Sequence, residues 1–236
     1  MLDQKNIEIN NNQNGSALIY ILVAIALLAA LTASFMDSSS QQTRSQNSAK
    51  LTTDIAAQIR IIKSSIDECV LVNPSGDSLA ITSTDQKHHP YPLMANHTYL
   101  TNVSKNDNVE NIGCPGVPGD DPDHAKIFGA NSGKFLPPAP NMFNPWRYYA
   151  GEDGVFFWIE SNKSDIFIED ALTKLDAQFS QCEAEYIDAT SGSITLTSDS
   201  DIPGGSNLSC ASGSRCFRLW IKRITSSDTP DDTLCN

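Results

Sequence analysis

The chain has 236 residues, with 16 Lys and Arg against 28 Asp and Glu, and a formal net charge of −12. That balance leaves no electrostatic footprint for nucleic acid, so no nucleic-acid partner is expected. The low charged fraction of 19% and the many Ser, Thr, Asn and Asp residues suit a secreted, loop-rich surface.

The first distinctive stretch is NGSALIYILVAIALLAALTASFM, residues 14–36. From Ala17 to Phe35 it carries no charge, and its only polar residues are Tyr20, Thr32 and Ser34. As a helix it would reach roughly 28 Å, near the ~30 Å hydrocarbon core of a bilayer. Three readings compete. A cleaved secretory signal wants a basic start and a shorter apolar run; the leader MLDQKNIEINNNQN holds only Lys5 against Asp3 and Glu8, and Thr32-Ala33-Ser34 is a passable cut site. A plain signal anchor would keep the leader. The third reading is a helix built to pack against neighbours.

A short polar leader ending in Gly15, a small residue, and an Ala/Leu/Ile-rich run that leads into a helix resemble the N-terminus of type IV pilins and type II secretion pseudopilins. The resemblance covers about the first quarter of the chain. It implies that a prepilin peptidase cuts between Gly15 and Ser16 and that the new N-terminus is methylated. It also implies other pilin or pseudopilin subunits as partners. Ser16 stands where the family usually has Phe, and Tyr20 where it usually has Glu. That Glu is thought to pair with a neighbour's N-terminal amine, a charge a tyrosine hydroxyl does not carry at neutral pH. Tyr20 is therefore the assembly position to watch, and the resemblance is to a divergent, minor member.

Residues 37–50, DSSSQQTRSQNSAK, are polar and stripeless, compatible with helix or with a looser joint. Beyond them Leu51, Ile55, Ile59, Ile62, Ile66 and Val70 recur at spacings of 4, 4, 3, 4 and 4, one face of a helix. Thr53, Asp54, Gln58, Arg60, Lys63, Ser64 and Asp67 lie on the other face, and Asn73-Pro74-Ser75-Gly76 ends the pattern. The expected organisation is a leader (1–15), a transmembrane helix (16–36), an amphipathic helical stalk (37–72) and a disulfide-containing extracytoplasmic head (73–236).

All six cysteines, Cys69, Cys114, Cys182, Cys210, Cys216 and Cys235, follow the apolar run, and none forms a C-x-x-C pair. No zinc or thioredoxin-like motif is signalled; an even count suggests disulfides and an oxidising compartment, with free thiols as the alternative. Six cysteines allow 15 pairings. Cys210 and Cys216 flank a five-residue Gly/Ser loop suited to a hairpin disulfide. Cys69, at the end of the stalk, is placed to reach Cys114, and Cys182 with Cys235 would tie down the C-terminus. Lys5 and the amino terminus on one flank nearly balance Arg44 and Lys50 on the other, slightly against an outward head. The cysteines and the resemblance favour it: a bacterial inner-membrane protein, single-pass, with its head in the periplasm or on a surface filament.

The head reads as α+β, a helix backing a mostly antiparallel sheet, carried on the long N-terminal helix. Residues 74–145 are irregular, with CPGVPGDDPDH and LPPAPNMFNP, and short strands are expected at 78–82 and 98–103. Asn144-Pro145-Trp146 resembles a segment found before a strand in pseudopilin heads. Two strands flank the Gly151–Gly154 turn. Asp165 is placed to cap a helix lined by Ile168, Leu172, Leu175 and Phe179. Strands follow at 184–189, 193–197 and 215–224, the last alternating Phe217, Leu219 and Ile221 with Arg218, Trp220 and Lys222.

No G-x-S-x-G, P-loop, H-E-x-x-H or EF-hand pattern occurs, so no enzyme is expected. His88-His89 is read as a solvated loop. Asp120-Asp121-Pro122-Asp123 and the loop SDSDIPGG, with Asp199 and Asp201, offer hard oxygens. The second loop is similar to the calcium loop of major pseudopilins, and calcium at Asp199 and Asp201 is weighed against a plain turn. Two functions remain: a structural pilin-like subunit, or a membrane-tethered periplasmic binding module whose recognition surface is 74–145.

Overall fold

A computed structural model describes residues 14–74, 90–94, 106–114, 126–129, 132–151, 153–197 and 208–223; within its helices and strands, the side chains of 14–16, 34–40, 93–94 and 106–107 are not described. The chain divides into two compact units, Met1–Gln46 and Asn47–Asn236. Helix α1 runs Asn14–Val72.

The expected membrane-spanning half of that helix is not found. Among the described residues no helix is long and apolar enough to cross a membrane. The apolar stretch of α1 with described side chains is short, residues 17–33. Near its end the Thr32 hydroxyl donates back to the Leu28 carbonyl at 2.6 Å, which satisfies that polar group within the helix.

In the second unit the sequence pattern does its expected work. Leu51, Ile55, Ile59, Ile62 and Ile66 are all buried. Each such side chain contributes about 1.5–3 kcal/mol when fully removed from water. They share a core with helix α2, Ile166–Asp176, through Ile168, Ala171, Leu172 and Leu175, and with Trp146, Phe157 and Phe217 of the sheet region. Asp165 occupies the N-cap position of α2 with extended backbone, but its carboxylate makes no capping hydrogen bond. Phe179 lies beyond α2 and packs, partly buried, on the same core.

The main sheet is five-stranded and antiparallel, in the order β2-β4-β5-β9-β6. Its strands are β2 (Asn106–Asn108), β4 (Arg147–Gly151), β5 (Gly154–Ser161), β6 (Ala184–Ala189) and β9 (Ser214–Arg223). A short pair, β1 (Leu93–Met94) with β3 (Ile112–Gly113), and another, β7 (Ile194–Thr195) with β8 (Ser209–Cys210), flank it. Gly154 closes the β4–β5 turn at φ 128°, a conformation L side chains rarely adopt.

Both faces of the sheet are covered. Val155, Phe157 and Ile159 of β5 face the core shared with the helices. Phe156 and Trp158 face a second cluster with Tyr149, Ile187, Leu196, Leu208, Cys210, Cys216 and Trp220. That explains why β5 reads as a continuous apolar run rather than as an alternation. The alternation expected of the last strand holds for Phe217, Leu219 and Ile221, which pack on one core, against Trp220, which packs on the other. Its pairing with β5 shifts register there: Val155 pairs with Lys222 but Phe156 with Trp220, passing over Ile221. The expected strand at 193–197 shortens to two residues. The strands expected at 78–82 and 98–103 lie outside the described residues.

Candidate functional surfaces

The first surface is the apolar stretch of α1. Leu18, Ile19, Ile21, Leu22, Val23, Ile25, Leu27, Leu28 and Leu31 are between 51% and 65% exposed, and Tyr20 is 72% exposed. Patches of this size mark interaction sites, because water left against so many aliphatic groups is costly. Gly15 and Ser16 fall within α1, but their side chains are not among those described.

The second surface is a groove of about 670 Å³ in the other unit. One wall is α1, with Lys50, Leu51, Asp54, Ala57 and Ile61; the other is the proline-rich strap Pro137–Met142, with Phe167 at one side. The volume falls in the range of small-ligand sites. The strap is held by Gln58, which is 7% exposed. Its Nε2 donates to the Pro138 carbonyl at 2.9 Å, and its Oε1 accepts from Trp146 Nε1 at 2.6 Å. Both ends of the amide are satisfied, as burial requires. Thr52 fastens α1 to α2 through the Ala171 carbonyl at 3.1 Å. Lys134 reaches Glu68 at 2.6 Å at the strap's start.

The helical period places Gln58 on the face of α1 opposite the apolar stripe. The face assignment follows the helical period, but the period cannot see a loop returning 80 positions later to cover that face. The available signal was LPPAPNMFNP itself, an extended apolar strap that needs a surface to lie on.

Cys69 is joined to Cys114 and Cys210 to Cys216, with Cα separations of 5.6 Å and 6.0 Å. Cys182 is also disulfide-bonded; Cys235 lies outside the described residues. So do Asp199 and Asp201, Asp120, Asp121 and Asp123, and all four histidines; the calcium expectation has no described geometry.

A cluster that the sequence did not reveal surrounds the short disulfide. Glu160 on β5 pairs in register with Cys216 on β9. One carboxylate oxygen and the sulfurs of Cys210 and Cys216 lie within 4.8 Å of one another. Glu160 is positioned from both sides: Oε1 accepts from the Ala211 backbone N–H at 3.0 Å and Oε2 from Asn144 Nδ2 at 3.3 Å.

The outer strand β6 is guarded by a carboxylate. Asp176 Oδ1 accepts from the Tyr186 backbone N–H at 3.0 Å. Burial holds the Asp176 carboxyl above its ordinary range, the Tyr186 N–H pulls it back, and Glu185 adds to the rise. Filling a strand-edge donor in this way blunts pairing with another chain.

No protein-family model matches the chain, and no curated protein or solved structure matches it.

Proposed function

We propose that the protein is a structural subunit of the pilin-like kind, assembling with like subunits through the apolar stretch of α1. The observation that carries this reading is the exposed aliphatic surface from Leu18 to Leu31, apolar on every side of the helix. Such a helix has no stripe that selects one partner, and its apolar surface calls for cover on every side. The head, with its disulfides, suits an oxidising space such as the periplasm or the surface of a filament. Gly15 and Ser16 are the proposed processing site for a prepilin peptidase. Tyr20, in place of a charged residue, fits a minor subunit that relies on a partner for the matching charge.

The test is to express the full chain with and without a prepilin peptidase and read the mature N-terminus by mass spectrometry. A chain starting at Ser16 supports the reading. A chain that keeps Met1 to Gly15 in both cases removes it.

A second reading, a tethered periplasmic binding module, is favoured by the groove between α1 and the strap. Its outcome in the same experiment is retention of the leader.

A further inference from the structure

We propose that the Cys210–Cys216 hairpin has a second covalent state, in which reduction turns Cys210, Cys216 and Glu160 into a three-ligand site for a thiophilic divalent cation such as zinc. The three ligand atoms already lie within 4.8 Å of one another. They come from three strands, β5, β8 and β9, so the site does not depend on one loop holding its shape. Two thiolates, a carboxylate and one water make the four-coordinate set zinc favours. Glu160 is already oriented by the Ala211 N–H and Asn144, the outer-shell fixing that ligating carboxylates receive in metal sites. Ala211 lies in the loop between the cysteines, so the carboxylate is tied to the segment it would join in binding.

The chemistry balances with a dithiol as reductant. Its thiolate attacks one sulfur of the Cys210–Cys216 bond. The mixed disulfide resolves, the dithiol leaves as its own disulfide, and two protein thiols remain. The cation then displaces one proton from each thiol to solvent as two metal–sulfur bonds form. Without the cation, two thiolates beside a carboxylate would repel one another. The metal removes that repulsion. Cys210 and Cys216 are fully buried. Cys210 ends β8, a strand only two residues long.

The test uses the full chain, reduced under anaerobic conditions and titrated with cobalt(II) and then zinc. The expected result is one equivalent of cobalt giving a near-ultraviolet sulfur-to-metal charge-transfer band that zinc displaces. That band should persist in Cys69→Ser/Cys114→Ser and disappear in Cys210→Ser/Cys216→Ser. Glu160→Gln should weaken binding by about tenfold or more, the scale known for supporting groups of metal sites. A measurement on the unmodified chain guards against variants that fail to fold: zinc should slow alkylation of Cys210 and Cys216 selectively, read by peptide mass mapping. Absence of the band, or zinc protection confined to the other four cysteines, overturns the proposal. Undiminished binding in Glu160→Gln overturns the three-ligand form of it.

Discussion

The two stretches of α1 solve the burial problem in opposite ways. Residues 17–33 are apolar on every side and exposed on every side. Residues 51–66 are apolar on one side only, and that side is wholly inside the core. A stripe specifies its partner, because only one direction must be covered, and the rest of the same chain covers it. A helix without a stripe specifies no direction, and its cover must come from every side. Periodicity therefore marks which side of α1 the rest of the chain covers.

Perturbing the buried stretch should have the largest effect. Ile62→Ala removes a fully buried branched side chain and should cost about 2–5 kcal/mol, read as a lower urea midpoint. Leu22→Ala, in the exposed stretch, should leave that midpoint unchanged; if both shift it equally, the contrast fails.

Breaking the Cys69–Cys114 link, with a sequence separation of 45, should cost about 2–4 kcal/mol. The Cys69→Ser/Cys114→Ser double variant compared by chemical unfolding measures it. Gln58→Ala leaves Trp146 Nε1 and the Pro138 carbonyl without their partner and should cost about 1–3 kcal/mol. A change in tryptophan emission should accompany it, since the strap and Trp146 lose the same amide.

The smallest effect is a pH trend at Asp176. Its carboxyl binds a proton more tightly in the folded state than in the unfolded chain, because burial raises it. That contribution is fully present below the ordinary carboxylate value of about 4 and is lost as pH rises through the higher folded value. Asp176→Asn keeps an acceptor for the Tyr186 N–H without the charge. Its stability relative to the native chain should therefore improve as pH rises from acid to neutral. Asp188 runs the other way: the Thr190 hydroxyl and then its N–H lower it, so its contribution is lost as pH falls. Unfolding curves across that range, on the native chain and on Asp176→Asn, separate the two.

What was legible in the sequence was local. The stripe from Leu51 to Ile66, the turn at Gly151–Gly154 and strand β6 follow from period and turn chemistry alone. The Cys210–Cys216 hairpin was visible because its loop is short. The membrane-spanning half of the long N-terminal helix was read from length and polarity, and among the described residues no helix is long and apolar enough for it. What was not legible was long-range. Gln58 became a buried clamp because the strap returned to it, and Glu160 met two cysteines only through the β5–β9 register. Asp165 had the right chemistry for a cap, yet its carboxylate makes no capping bond. Side-chain identity permits a cap; only local geometry makes one.

The most direct test of the central claim is a photo-crosslinking residue at position 22, in place of Leu22, in the full chain within its own cells. The account predicts a covalent product with a like subunit, lost when the residue is moved to the exposed polar position of Arg60. Adducts to lipid alone, or none at all, would contradict it.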